Sequence, residues 1–280
     1  MPTNHSHQTP TGSSPPNFAG CIYCLRGGSE LLHLLKRHGV PIKAHLAASL
    51  VLAYALPEDV LKPFLAPGLE LDTYDGFGFL AIAMVQTSEL RPAFLPPAFG
   101  LNFFLAGYRI FTRYRTPAGR TLRGLRILRS DTDRRSMQVF GNLLTHYGYE
   151  LSRCRVLRTE NVYEVEISSP HGDADLQVEA DLATEPGSPP LGSPFADLRE
   201  ARKFAGPLPF TFDYEQQTHS IIRVEGVRQA WNPRPVSAQV RRNTFLEKEP
   251  FRSATPILAN VFYLENVPYS WKPGVREPLP

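Results

Sequence analysis

The sequence predicts a β-rich protein of the α+β class, and three observations carry that prediction. Polar and apolar residues alternate in stretches such as NVYEVEISS and ADLQVEADL, turn signals recur between such stretches, and helical patterns are few and short. With 280 residues and 42% hydrophobic composition, the chain has ample material for a packed core. Neither an internal repeat nor a second composition regime divides it. We therefore expect residues 29–280 to form a single domain behind a tail of residues 1–28. Residues 1–20, MPTNHSHQTPTGSSPPNFAG, are so poor in apolar side chains that they cannot offset their own ordering entropy, so the tail is expected to be disordered.

Taken in order, SELLHLLKRHG offers Ser29 as an N-cap, an apolar stripe through Leu31, Leu34 and Leu35, and Gly39 as a stop. A strand from Ile42 to Leu56 and a short helix begun by Pro57 fit the next segment, which ends at Pro67-Gly68. LELDTYDGFGFLAIAMVQTSEL reads as two strands around Asp75-Gly76. Gly76, Gly78 and Ala81 match G-x-G-x-x-A there, but a dinucleotide site needs a helix after the glycines, and this run continues as strand. A Pro-rich loop leads to GYRIFTRYR and RTLRGLRILRS, a hairpin around TPAG. Ser130, Asp131 and Asp133 are placed to cap the helix that follows, whose apolar face is Met137, Phe140, Leu143, Leu144 and Tyr147. An antiparallel meander should then turn Val165, Ile167, Leu176, Val178 and Ala180 inward. After the linker TEPGSPPLGSP come a helix capped near Ser193 and a last set of strands.

Composition excludes several classes. A net charge of +3 points to no particular partner. The longest uncharged apolar run, LAASLVLAYAL, is eleven residues, short of the ~20 that span a bilayer, so no membrane segment is expected. A basic start and apolar core of a secretory signal are missing, and three cysteines build no disulfide framework, so a cytoplasmic location is expected. Cys21, Cys24, His33 and His38 form a Cys-x2-Cys-x8-His-x4-His string, but the inner spacing is shorter than a zinc finger's and no ββα pattern surrounds it. We expect neither metal nor cofactor. A nucleophile elbow, a P-loop and H-E-x-x-H are all missing.

The order PEDVLKPFLAPGLELDTYDGFGFLAIAMV, a Pro-rich loop, YRIFTRYRTPAGRTLRGLRILRSDTDRRSMQVFGNLLTHY and a late ENVPYSWKPG resembles an uncharacterised bacterial family of the acetoacetate decarboxylase-like superfamily, over most of residues 42–273. The resemblance implies a curved antiparallel sheet closing into a barrel or cone with a central cavity and a few peripheral helices. It also implies where a Schiff-base lysine would stand, after the hairpin, but LRSDTDRRSM contains none. Arginine stays protonated and cannot form the imine, so decarboxylation by that chemistry is not expected. Lys36, Lys43, Lys62, Lys203, Lys248 and Lys272 all lie elsewhere, and the pairs Lys36-Arg37 and Arg202-Lys203 read as solvated faces.

Between Tyr108 and Arg135 stand nine arginines: Arg109, Arg113, Arg115, Arg120, Arg123, Arg126, Arg129, Arg134 and Arg135. Against Asp131 and Asp133 they leave a local surplus of seven positive charges in a +3 chain. A turn centred on Pro117 and Ala118 would set Arg109 opposite Arg126, and opposed like charges are unfavourable without an acid or bound anion between them. Most of these arginines could simply be a wet hairpin face. The sharper expectation makes Arg109, with Arg126 or Arg129, the binder of a carboxylate or phosphate. Candidate acid/base residues are Asp131, Asp133 and His146, each with a plainer role as a cap or half-buried side chain. Glu215 and His219 read as surface polarity, and Tyr147 and Tyr149 as packing. Three functions follow: a lyase or hydrolase acting on a small anionic metabolite, a ligand-binding barrel without turnover, and a nucleic-acid binder using the hairpin with Tyr108, Phe111 and Tyr114 interleaved. The last is disfavoured because the basic surplus is only local. Oligomeric state is not legible.

Overall fold

Long strands dominate a computed structural model of the protein, which describes Met1 and residues 33–228 and 231–280. The chain runs through β1 (Ile42–Pro57), the one-turn helix α1 (Glu58–Leu61), β2 (Leu69–Leu71), β3 (Phe77–Pro92), β4 (Leu101–Arg115) and β5 (Thr121–Thr132). Helix α2 (Arg135–Leu144) precedes β6 (Tyr149–Leu151), β7 (Arg153–Arg158), β8 (Val162–Ser168), β9 (Leu176–Asp181) and helix α3 (Leu198–Ala205). The rest is β10 (Phe210–Glu215), β11 (Ser220–Arg228), β12 (Arg234–Pro235), β13 (Ser237–Asn243), β14 (Ile257–Trp271) and β15 (Val275–Pro278). The tail, Ser29 and the pair Cys21 and Cys24 lie outside the described residues, apart from Met1. Among the described residues no helix is long and apolar enough to cross a membrane, and no cluster of three metal-ligating side chains occurs.

In the larger sheet β14, β1, β3, β4, β5, β10 and β11 follow one another, and β11 pairs back onto β14, giving a ring of seven strands. The four strands β13, β9, β8 and β7 form a separate antiparallel sheet. Strand alternation sorts side chains between two environments. On one face of β1, β3 and β4, Leu50, Leu52, Ile82, Met84, Tyr108 and Ile110 are buried against Tyr163, Val165, Ile167 and Val178 of the small sheet. That is the principal core, and the meander turns its expected residues into it. The opposite face, inside the ring, carries the small side chains Ala53, Ala55, Ala81 and Ala83. Phe195 and Phe204 pack in one cluster with Ala53 and Ala55, and the cavity lies over Ala81 and Ala83.

Several local expectations are corrected. Asp75-Gly76 does make a turn, with both residues at positive φ, but β2 pairs with β4 and not β3. The β4–β5 connection holds one residue more than a two-residue turn, because Thr116 and Arg120 are hydrogen bonded across it and Gly119 takes the left-handed conformation that closes such loops. The register shifts accordingly. Arg109 faces Ile127, Arg126 faces Ile110, and a bulge beyond Tyr108 sets that residue against Arg129. The arginines in direct opposition are Arg113 and Arg123, and both reach buried Asp72. An acidic side chain therefore separates the opposed charges, at a different pair from the one expected. β5 also runs parallel to β6 and β10, where an all-antiparallel sheet was expected. Parallel neighbours need a crossover, and α2 supplies it between β5 and β6.

The capping expectations fail for a common reason: the strand continues further than the sequence pattern suggests. Ser130 and Asp131 are still in β5, and the N-cap of α2 is Arg134, with no side-chain cap bond. Asp133 accepts from the Phe104 amide at 2.8 Å and so closes a strand end. The helix stops at Leu144, and of its expected apolar face only Met137 is buried within it. Helix α3 is capped by Asp197, not Ser193, in a reciprocal arrangement with Glu200. Arg37 and Glu215 are not solvated: Glu215 is buried and takes a two-pronged bond from Arg37 at 2.8 and 2.6 Å.

Asp131 is wholly buried and receives Arg129 in a fork, Nε to Oδ2 at 3.0 Å and Nη2 to Oδ1 at 2.9 Å, with the Ser152 hydroxyl as a further donor. Arg129 also binds Glu150 and Asp173, each at 2.8 Å. Removing Asp131 leaves the Ser152 hydroxyl and two N–H groups of Arg129 without their buried acceptor, while Glu150 and Asp173 still pair the charge. Asp131→Ala is therefore expected to cost about 2–4 kcal/mol, above the ~1 kcal/mol of a lost helix cap. Urea denaturation of the variant reads this directly, and a loss near the capping value would contradict it.

Candidate binding cavity

Inside the ring lies a cavity of about 660 Å³. Its walls are mainly aliphatic and aromatic, and β3 and β4 contribute Ala81, Ala83, Phe103, Leu105 and Phe111. Among the described residues that line it there is no aspartate, glutamate or lysine, whereas Arg91, Arg109, Arg228 and His38 are all present. A wall of cations without acids is unusual in an apolar setting.

Two of the three arginines are satisfied by the protein. Arg91 donates to the Leu95 and Glu89 carbonyls, at 3.1 and 2.8 Å. Arg228 donates to the Pro207 carbonyl at 2.8 Å and lies over the Trp231 ring at 4.6 Å. Arg109 is different. Protein surrounds it, the surface it retains opens into the cavity, and its Nε has no hydrogen-bond partner among the described residues. Burial pulls its pKa below the ordinary arginine value, opposed only by the hydroxyls of Tyr269, Tyr149 and Tyr147. Burial raises the pKa of all three tyrosines, so they stay neutral and offer dipoles where a counter-charge would be expected.

Small residues create the room for this arrangement. Gly107 pairs with Ala83 on β3 and with Ser130 on β5, forming a row of small side chains across three strands. The Arg109 guanidinium lies over that row: a Cβ on Gly107 would meet its Nε at 2.8 Å and Nη2 at 2.9 Å. Gly141 on α2 similarly lets the Tyr149 ring lie flush against the helix. Asn142 clamps the Tyr149 backbone, donating to its carbonyl at 2.9 Å and accepting from its amide at 2.7 Å.

The other sequence candidates divide as follows. Arg126 and Arg129 do not line the cavity. The one-residue register shift puts Arg126 beside Asp213, and Arg129 is engaged by three carboxylates. Asp131, Asp133 and His146 do not line it either. His146 is half-buried, with its pKa lowered by burial and by Lys36. His38 is the histidine on the wall: its ring is 5.3 Å from that of Tyr147, and burial with His146 nearby pulls its pKa to about 4. Sequence reasoning passed over Gly107, Asp213 and Tyr269, and took Tyr147 and Tyr149 for packing. A glycine two residues before Arg109 and another eight residues before Tyr149 were the available signals.

Solved structures resemble this one in fold. An acetoacetate decarboxylase from Legionella pneumophila subsp. pneumophila str. Philadelphia 1 matches with a TM-score of 0.56 at 12% identity, over 84% of this chain and 86% of that one. An acetoacetate decarboxylase-like enzyme from Sphingomonas wittichii RW1 matches with a TM-score of 0.60 at 12% identity, over 86% and 94%. The enduracididine biosynthesis enzyme MppR, in complex with pyruvate, matches with a TM-score of 0.56 at 12% identity, over 84% and 90%. The fold is thus acetoacetate decarboxylase-like. The chain itself belongs to DUF2071, a family described as an uncharacterised conserved protein, whose model matches residues 43–268. No curated protein matches it.

Asp213 is buried, and burial raises its carboxyl to about 7 against the opposing pull of Arg126 and Lys36. Between the unfolded pKa of ~3.9 and this value the native state holds a proton that the unfolded chain has released. Stability should therefore fall as pH rises from 4 to 7, by up to ~1.4 kcal/mol per pH unit from this group. Asp213→Asn should match wild type near pH 4 and exceed it at pH 8 in paired denaturation curves. Superimposable pH profiles would exclude a raised carboxyl.

Proposed function

We propose that this protein binds a small anionic metabolite inside the ring of strands, that Arg109 receives the negative charge, and that no Schiff-base lysine takes part. The observation that carries the reading is Arg109 itself: an enclosed guanidinium without a counter-charge among the described residues, facing a cavity whose described walls hold no acid. A buried unpaired cation is strongly unfavourable unless a ligand completes it. Carboxylates and phosphates suit the planar fork of arginine, and the cavity volume falls within the range of small-molecule sites. Arginine cannot form the imine that lysine forms, and the described lining contains no lysine. A lyase or hydrolase reaction here would find no aspartate, glutamate or lysine on the described wall to exchange a proton, so binding is the better supported reading.

Binding of nucleic acid through the hairpin is less well supported. Tyr108, Phe111 and Tyr114 are buried and have no free face for a base. Arg113, Arg123 and Arg129 are committed to carboxylates. A thermal-shift screen of organic acids and phosphates tests the proposal. Hits on wild type should vanish in Arg109→Met and weaken at least tenfold in Gly107→Ala, whose Cβ displaces the guanidinium. Equal stabilisation of wild type and Arg109→Met by the same hits would refute the role of Arg109.

A further inference from the structure

The cavity has two unlike regions. In one the Arg109 guanidinium rests over Gly107, beside Tyr147, Tyr149 and Tyr269, with Phe111 and Leu125 further along the wall. Moving outward along the inner face of β4, the wall passes Leu105, Phe103 and Leu101, with Val85 and Leu90 opposite on β3. Alternate residues of one strand stand ~7 Å apart, so this apolar path is long compared with the charged region. It opens at a rim formed by Leu35, Val40, Phe99, Phe140 and Leu144, each of which is exposed. The exposed side of α2, which the sequence pattern assigned to the core, is part of that rim. At ~30 Å³ per water-sized group, the cavity holds on the order of twenty non-hydrogen atoms. A carboxylate accounts for three of them.

Resting on the proposed binding of an anion by Arg109, we infer that the ligand is an amphipathic monocarboxylate: one carboxylate seated on Arg109 and an apolar body, aliphatic or aryl-aliphatic, lying along β3 and β4 toward the rim. A compact polyanion such as phosphate or a dicarboxylate would satisfy Arg109 but leave most of the apolar wall facing water. An uncharged lipid would fill the wall and leave Arg109 unpaired. Arg91 is paired with Glu89, and Arg228 donates to the Pro207 carbonyl and stacks on Trp231, so among the described residues Arg109 is the lining arginine whose Nε has no partner, and one anionic group completes it.

The chain's two tryptophans, Trp231 and Trp271, both line the cavity. Their fluorescence therefore reports occupancy without a label. The experiment titrates the full-length protein with straight-chain carboxylates of two to fourteen carbons, the matching primary alcohols and inorganic phosphate, with calorimetry on the tightest. Affinity is expected to rise about fourfold per methylene through the middle of the series and to level off once the chain reaches the rim. The alcohols should bind at least tenfold more weakly than the acids, and Arg109→Met should remove that preference. Acids that bind through Arg109 with no dependence on chain length, or phosphate binding as tightly as the long acids, would overturn the amphipathic ligand and leave the anion site standing. Alcohols binding as tightly as acids, with no effect of Arg109→Met, would overturn both. No binding across the series would also overturn the amphipathic ligand, while the organic-acid screen separately decides the anion site. The alcohol comparison uses wild-type protein alone, so it holds even if a variant folds poorly.

Discussion

A charge removed from water must be given back something equivalent, and the rest of this structure can be understood by how it meets or declines that demand. Arg129 gains Asp131, Glu150 and Asp173. Arg113 and Arg123 share Asp72, and Arg37 gains Glu215. Around Arg109 the described residues supply neutral hydroxyls, a shelf of small residues and the cavity. Long strands make the contrast possible. Alternation along β1 and β3 sends bulky side chains toward the small sheet and Ala53, Ala55, Ala81 and Ala83 toward the ring's interior, so bulk is gathered on one face and small side chains on the other.

Much of the architecture was legible because it follows from period-two patterning. The β7–β9 meander, the β1 strand and the β4–β5 hairpin announce themselves by alternation and turn residues, and the meander's inward positions are buried as expected. What was not legible depends on single residues of loop geometry. One extra residue at the TPAG turn moves Arg126 off the face of Arg109, so the opposition of those two arginines, which first singled out Arg109, does not occur. Arg109 stands out for another reason, namely that none of the described residues pairs with it, and that reason exists only in three dimensions.

Helix α2 shows a second limit. Its apolar residues recur at helical spacing, and the sequence alone reads them as a face turned to the core. Phe140 and Leu144 instead stand exposed at the cavity rim. Periodicity identifies a face that prefers not to be wet; it does not distinguish a protein core from a ligand's path. The acidic residues before α2 mislead in a similar way. Asp131 resembles a cap by position, yet it belongs to a strand and its carboxylate is the anchor of Arg129.

Similarity to acetoacetate decarboxylase-like folds supplies the ring of strands, and the described wall holds arginines without a lysine. The central claim is that Arg109 is kept for a ligand at a cost to the empty protein. The most direct measurement is the unfolding free energy of ligand-free Arg109→Met against wild type, from urea denaturation in a buffer without organic acids or phosphate. Replacing an unpaired enclosed cation with an apolar side chain of similar length should stabilise the empty protein, by about 1–4 kcal/mol. A variant destabilised by 2 kcal/mol or more would mean that Arg109 holds the fold together, and the claim would fail.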